Sequence, residues 1–269
     1  MVDTYLEPTG NPKNDRQIRK ELGLKRNPLR IFLKTLFTIF FVAALIVGNA
    51  VIFHNLYYRS FFVNGQSMYP TLNGNATYSN GTLIGQKPPY GSLNGATVDY
   101  GIMDTHEYTK QGIRRFDIIV TKYSETDASD KIKRVIALPG ETFYFVSTYK
   151  KEATNGDLYV IPEGQSEGVF VPQNFGDEEI LRDKDYFGVN IPNIDNPLTL
   201  GADEYYVLGD NRDHSSDSSS SYGPIKYEWI EGVAIALEGT CTLVCEPGKA
   251  CQAGRVRFMW PQSLRWRDA

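Results

Sequence analysis

Ser67 and Lys133 are the residues around which chemistry can be argued in this chain. Ser67 sits in Phe62-Val63-Asn64-Gly65-Gln66-Ser67-Met68-Tyr69-Pro70-Thr71-Leu72. Lys133 sits in Asp130-Lys131-Ile132-Lys133-Arg134-Val135-Ile136-Ala137-Leu138-Pro139-Gly140-Glu141. A serine hydroxyl becomes a nucleophile only beside a base, and histidine is the usual one. The chain has 3 histidines. Of His54, His106 and His214, only His214 lies in a third polar stretch, Gly209-Asp210-Asn211-Arg212-Asp213-His214-Ser215-Ser216-Asp217-Ser218, where it is a candidate base. A Gly-x-Ser-x-Gly elbow is absent, since Gly65 precedes Ser67 but Tyr69 follows it.

Lysine is the other base. A free lysine has a pKa of about 10.4, so roughly one molecule in a thousand is neutral near neutral pH. Making it competent means lowering that value by ~3 units, or ~4 kcal/mol, and burial in apolar surroundings does this by penalising the charged form. On a strand, alternate residues share a face. Lys133 then points with Val135 and Ala137, and Arg134 with Ile132 and Ile136. Lys131 shares the Lys133 face but lies nearer the polar end, so Lys133 is the preferred base. An edge strand carrying solvated lysines is the plain alternative.

These stretches must be held by a scaffold. Residues 1–29 are polar, with Pro8, Pro12 and Pro28, and Ile18 to Lys25 has the pattern of a short basic helix. Thr35 to Phe53 then runs 19 residues without a charge, close to the ~20 that a membrane-spanning helix needs. Arg26, Arg30 and Lys34 crowd its N-terminal side, which orients the N-terminus to the cytoplasm and the remainder outside. A cleaved secretory signal is the competing reading, with Gly48-Asn49-Ala50 as a faint cleavage site. Such a signal has a shorter apolar region nearer the start. We therefore expect an anchor at 30–56 between a cytoplasmic segment at 1–29 and an extracytoplasmic domain at 57–269.

From Ser60 onward, short β-branched and aromatic runs alternate with Gly, Asn, Asp and Pro turns, the pattern of a mostly β domain. Expected strands are Ser60–Val63, Thr82–Gly85, Asp117–Tyr123, Ile132–Leu138, Thr142–Ser147, Leu158–Ile161, Glu204–Leu208, Gly232–Ala236 and Val256–Trp260. Tyr227 to Ile230 suits one helical turn. Asn73 to Gln111 and Glu163 to Pro197 read as insertions. The serine run 215–221 by itself suggests a flexible linker.

The net charge of −4 is uneven. Up to Lys34 there are eight Lys and Arg against four Asp and Glu, so the remaining chain carries 20 basic and 28 acidic residues. An acidic body argues against nucleic acid as a partner. Cys241, Cys245 and Cys251 match no usual zinc spacing. In an oxidising compartment two of them would pair and leave one free, and the spacing does not say which.

In their order of serine, lysine and Gly-Asp-Asn-Arg, the three stretches resemble the bacterial type I signal peptidases. These are membrane-anchored serine proteases with a Ser–Lys dyad and an antiparallel β-sheet catalytic domain. The family's Ser-Met-x-Pro-Thr-Leu string corresponds to Ser67–Leu72. Its Arg-Gly-Asp-Ile-Val-Val strand corresponds loosely to Arg115-Phe116-Asp117-Ile118-Ile119-Val120. The lysine of its Lys-Arg-Val-x-Gly-Leu-Pro-Gly-Asp corresponds to Lys133, followed by Arg134, with Ala137 and Glu141 as departures. In the last string, Ser215 corresponds to the serine that hydrogen-bonds the catalytic lysine, with Asp210 and Asp217 as supports. The arginine expected after Ser218 is missing, and Gly223 comes one residue late. Gly65 stands where some members carry a serine that helps bind the oxyanion. Tyr227–Gly232 and Arg257–Pro261 resemble the family's closing strands, with the cysteine-bearing stretch between them as an insertion.

The resemblance implies removal of signal peptides from exported preproteins, with Ser67 as nucleophile, Lys133 as general base and no cofactor or metal. A substrate strand would lie beside Phe62, Val63 and Asn64. Met68 belongs to the same substrate region, and Phe61, Phe62, Met68 and Tyr69 are candidates for contact with membrane lipid or for core packing. Arg265-Trp266-Arg267 reads as a solvated tail or a surface contact. The rival functions are a specialised Ser–Lys maturation protease for pilin-like or envelope proteins, and a non-catalytic anchored peptide-binding β-domain.

Overall fold

The computed structural model describes Ile18, Lys20 and residues 28–69, 71–73, 95–127, 129–146, 157–173, 191–212, 215–220, 222–246 and 249–264. The chain divides into two units, Met1–Leu56 and Tyr57–Ala269. The first contains most of helix α1, Pro28–Tyr57. Within α1, the stretch Ile31–Tyr57 is long and apolar enough to cross a membrane, and its apolar window has no buried residue. Thr35 and Thr38 turn their hydroxyls back to the carbonyls of Ile31 and Lys34, and Asn49 its amide to Leu45. The helix therefore satisfies these polar side chains internally, as a helix in an apolar medium must.

The second unit is mostly β and antiparallel. Its larger sheet contains β1 (Tyr58–Phe62), β2 (Thr97–Asp104), β3 (Ile118–Thr121) and β4 (Lys131–Ala137). Three further members are β9 (Glu204–Leu208), β10 (Ile225–Lys226) and β11 (Ile230–Val244), ordered β1-β2-β11-β3-β4-β9-β10, with β12 (Gln252–Ser263) pairing β11. A second sheet has the order β7-β6-β5-β8, from β5 (Thr142–Val146), β6 (Asp157–Ile161), β7 (Val169–Val171) and β8 (Leu198–Thr199). Helix α2 covers Glu107–Gln111, and Tyr227–Trp229 forms a 3-10 turn where one helical turn was expected.

Several expectations need correction. The stretch Asn73 to Gln111 is not wholly an insertion, because β2 lies within it and joins β1 to β11. Its Asp99 and Gly101 break the apolar pattern, yet both are buried with Val98, Ile102 and Met103. Residues 163–197 contain β7, while 174–190 and the expected strand Thr82–Gly85 lie outside the described residues. The cysteine stretch caps the β11–β12 ribbon, where Cys245 pairs with Cys251 and Cys241 stays reduced and buried. The serine run is not a linker: Ser218 and Ser219 are buried, and Ser218 exchanges hydrogen bonds with Val207 of β9 through its N–H and its hydroxyl oxygen, both 3.0 Å.

Candidate active site

The loop after β1 carries Ser67, and apolar burial holds it in place. Val63, Met68 and Leu72 enter a core with Phe61, Met103, Ile118, Val120, Ala234 and Leu237. Ser67 stays partly exposed, with the half-buried Gln66 before it and the buried Met68 after it. Gly65 turns the chain at φ +132, a left-handed conformation that glycine accepts without strain. Tyr69 donates its N–H to Gln66 O and Leu72 to Met68 O, closing the turn.

Strand β4 delivers the lysine. Lys133 is buried, and its Nζ lies 2.9 Å from Ser67 Oγ and 2.9 Å from Ile132 O. Burial lowers its pKa to about 8. Asp217 and Asp210 pull it upward and Lys131 pushes it down, but desolvation is the largest cause. Lys131, two residues earlier, remains partly exposed and is tied to Asp127 at 3.3 Å. Lys133 alone of the two meets the serine.

Arg134 on the same strand faces other partners. Its Nε and Nη2 donate to the two carboxylate oxygens of Asp210 at 2.8 and 2.6 Å, and its Nη1 donates to Phe116 O at 2.9 Å. This fork-to-fork pair is fully buried and fixes the Gly209–Arg212 segment against β4. Phe116 stands where the family string has glycine, and it holds φ +71, a conformation that glycine favours. Its N–H donates to Val135 O at 2.8 Å. Glu141, one of the two departures in the lysine string, accepts from Leu138 N–H at 2.7 Å and pairs with Arg115.

The Gly209 segment touches the serine loop directly. Asn211 donates its N–H to Ser67 O at 3.0 Å and its Nδ2 to Gln66 O at 3.1 Å. A Cβ on Gly209 would overlap the Ser215 side chain and the Ser67 carbonyl, so only glycine permits this approach. Ser215 is thereby placed against Gly209, beside the Ser67 backbone. Asp217 receives Gly209 N–H at 2.9 Å, Ser219 N–H at 3.1 Å and Ser219 Oγ at 2.6 Å. The buried Ser219 thus supplies donors to Asp217 at the position where the family's arginine is missing.

Phe62 is half-buried, Asn64 exposed, and Val63 and Met68 buried. Phe61 and Met68 are core residues. Among the described residues β1 is the terminal strand of its sheet. Val63 turns its N–H to Asp99 O and its carbonyl to Asn73 Nδ2, both on the β2 side. Phe62, the residue before it and the last of β1, therefore turns its backbone groups to the outer edge. His214 and Arg265-Trp266-Arg267 lie outside the described residues. Sequence reasoning passed over Asn211, Asn73 and Asp99 as individual residues. For Asn211 the signal was its place between two motif residues, whereas Asn73 and Asp99 had none. No group of three or more His, Cys, Asp or Glu side chains suited to a metal occurs among the described residues.

Comparison with known proteins gives a family and several similar proteins. A family model described as signal peptidase, peptidase S26, matches residues 33–237. Signal peptidase I of Pseudomonas aeruginosa is 29% identical over 180 residues, covering 62% of this chain and 58% of that protein. Signal peptidase I of Bacillus amyloliquefaciens is 26% identical over 191 residues, covering 70% of this chain and 77% of that one. A crystal structure of a signal peptidase I from Enterococcus faecalis aligns with 26% identity and a TM-score of 0.30, over 45% of this chain and 95% of that chain.

Proposed function

The chain belongs to the signal peptidase family, peptidase S26, and on that premise we propose that it is a membrane-anchored serine endopeptidase that removes signal peptides from exported preproteins. The observation that carries this reading is the 2.9 Å contact between Ser67 Oγ and a buried lysine whose pKa falls to about 8. At pH 7 about a tenth of such lysines are neutral. In that form Lys133 Nζ accepts the Ser67 proton as Oγ attacks the scissile carbonyl, forming a tetrahedral intermediate. The resulting ammonium protonates the leaving amine, giving an acyl-enzyme. Neutral Lys133 then takes a proton from water, which attacks the ester and frees Ser67.

The oxyanion donor follows from the backbone. Gln66 O accepts from Tyr69 N–H at 3.0 Å and Asn211 Nδ2 at 3.1 Å. A trans peptide turns its N–H opposite its carbonyl, so Ser67 N–H is directed away from those partners, and we assign it as the donor to the developing charge. Gly65 contributes no hydroxyl there, and the hole rests on backbone. An extended substrate adds to the outer edge at Phe62 and Asn64, with Val63 and Met68 supporting that edge from the core. Arg134, Asp210, Asp217 and Ser215 keep the lysine and serine in register. Helix α1 serves as the anchor, N-terminus in the cytoplasm, with the β domain outside and membrane lipid around the helix.

The test is cleavage of a preprotein with small residues at its cleavage site by the detergent-solubilised full chain, from pH 6 to 10. Cleavage is expected to rise into alkaline pH and to vanish in Ser67→Ala and Lys133→Ala. Activity surviving Lys133→Ala would remove the base assignment, and no cleavage by folded wild type would leave the specialised maturation protease or the peptide-binding domain as the reading.

A further inference from the structure

Asn73 and Asp99 form a buried clamp at the base of the serine loop. Asn73 is completely buried and adopts φ +62. Its Nδ2 donates to two loop carbonyls, Val63 O at 2.9 Å and Gly65 O at 2.8 Å. Its Oδ1 accepts Asp99 N–H at 2.7 Å, and its own N–H donates to Asp99 Oδ2 at 2.6 Å. Val63 N–H donates to Asp99 O at 3.0 Å. Both ends of the segment from Val63 to Asn73 are thus tied to one residue of β2. Every donor of the Asn73 amide is used.

The position of these bonds relative to Ser67 matters. Gly65 is the conformationally free residue of the loop, and Ser67 lies two peptide planes beyond it. Holding the Gly65 carbonyl fixes the first of those planes. Asn211 and Tyr69 fix the second through Gln66 O. Without the Asn73 amide, rotation about Gly65 would move Ser67 Oγ relative to Lys133, which is held independently by β4. A misplacement on the order of 1 Å costs about 10²-fold in rate.

We propose that Asn73, held by Asp99, is a positioning residue that sets the Ser67 hydroxyl and N–H for acyl transfer. The proposal rests on the proteolytic reading given above. Asn73→Gly tests it, because glycine keeps the positive φ and the N–H to Asp99 while deleting only the side-chain bonds. Asp99→Asn keeps an acceptor for Asn73 N–H, and Asp99→Ala removes it. Leu158→Ala, in the core of the second sheet, serves as a control for lost stability alone. Preprotein cleavage by the full chain in detergent, with kcat and KM separated, is read beside the urea midpoint of each variant.

Asn73→Gly and Asp99→Ala are expected to lose ten- to hundredfold in kcat with KM changed less than threefold. Asp99→Asn should stay within threefold of wild type, and Leu158→Ala should keep its kcat well below its unfolding midpoint. A wild-type kcat in Asn73→Gly would overturn the proposal, as would a loss no larger than that in Leu158→Ala. A wild type that folds but cleaves nothing would instead overturn the proteolytic reading on which the proposal stands.

Discussion

Burial brings the Lys133 ammonium from 10.5 down to about 8. Each unit corresponds to about 1.4 kcal/mol, so holding the proton inside the fold costs about 3 kcal/mol. Below about pH 8 the lysine is protonated whether the chain is folded or not, and stability has no slope from this group. Between about pH 8 and 10.4 the unfolded chain keeps the proton and the folded chain releases it, so stability rises with pH. That contribution is complete above the unfolded value and is lost as pH falls through about 8. Lys133→Met removes both the base and the buried charge. It should abolish cleavage by at least ~10²–10⁴-fold while raising the urea-derived stability at pH 7 by about 1–3 kcal/mol and flattening the slope between pH 8 and 10. An unchanged slope in Lys133→Met would show that another group carries it.

At the scale of elements, three segments distant in sequence meet at the candidate site: the turn after β1, strand β4, and the loop from Gly209 to Ser220. The first two are held by cores on either side of the sheet, and the third by Arg134–Asp210 and by Ser218 on β9. Tyr123 adds a bond from its hydroxyl to Ser216 O at 2.8 Å. The third segment touches the first through Gly209, where a methyl group has no room beside Ser215 and the Ser67 carbonyl. Gly209→Ala should therefore push the two loops apart and lower kcat by about 10²-fold, with the far-ultraviolet circular dichroism of a folded β domain retained. A kcat within twofold of wild type would mean that the loops separate without disturbing Ser67 and Lys133.

At the scale of the molecule, the β domain from Tyr57 onward has its own cores, and the apolar window of helix α1 has no buried residue. A chain starting at Tyr57 should fold and cleave a short peptide with kcat/KM within about tenfold of the full chain. It should lose the full chain's advantage on a preprotein inserted in vesicles, because that advantage comes from sharing a bilayer. Equal rates on the inserted preprotein would assign the helix no part in substrate capture. The amino-acid sequence by itself determined the apolar helix, the order of the three motifs and the mostly β character, and the polar start of the lysine strand set Lys133 ahead of Lys131 on their shared face. These are local properties, set by hydrophobic period, charge placement and turn residues. Strand β2 escaped the same reading because Asp99 and Gly101 occupy buried positions where apolar residues were sought, and Asn73 looked like the start of a loop. The cysteine pairing, the ordering of the serine run and the glycine-only contact at Gly209 were decided by the tertiary structure alone. Each depends on which distant backbone groups arrive beside the residue, and hydrogen-bond satisfaction across such distances leaves no periodic trace in the chain.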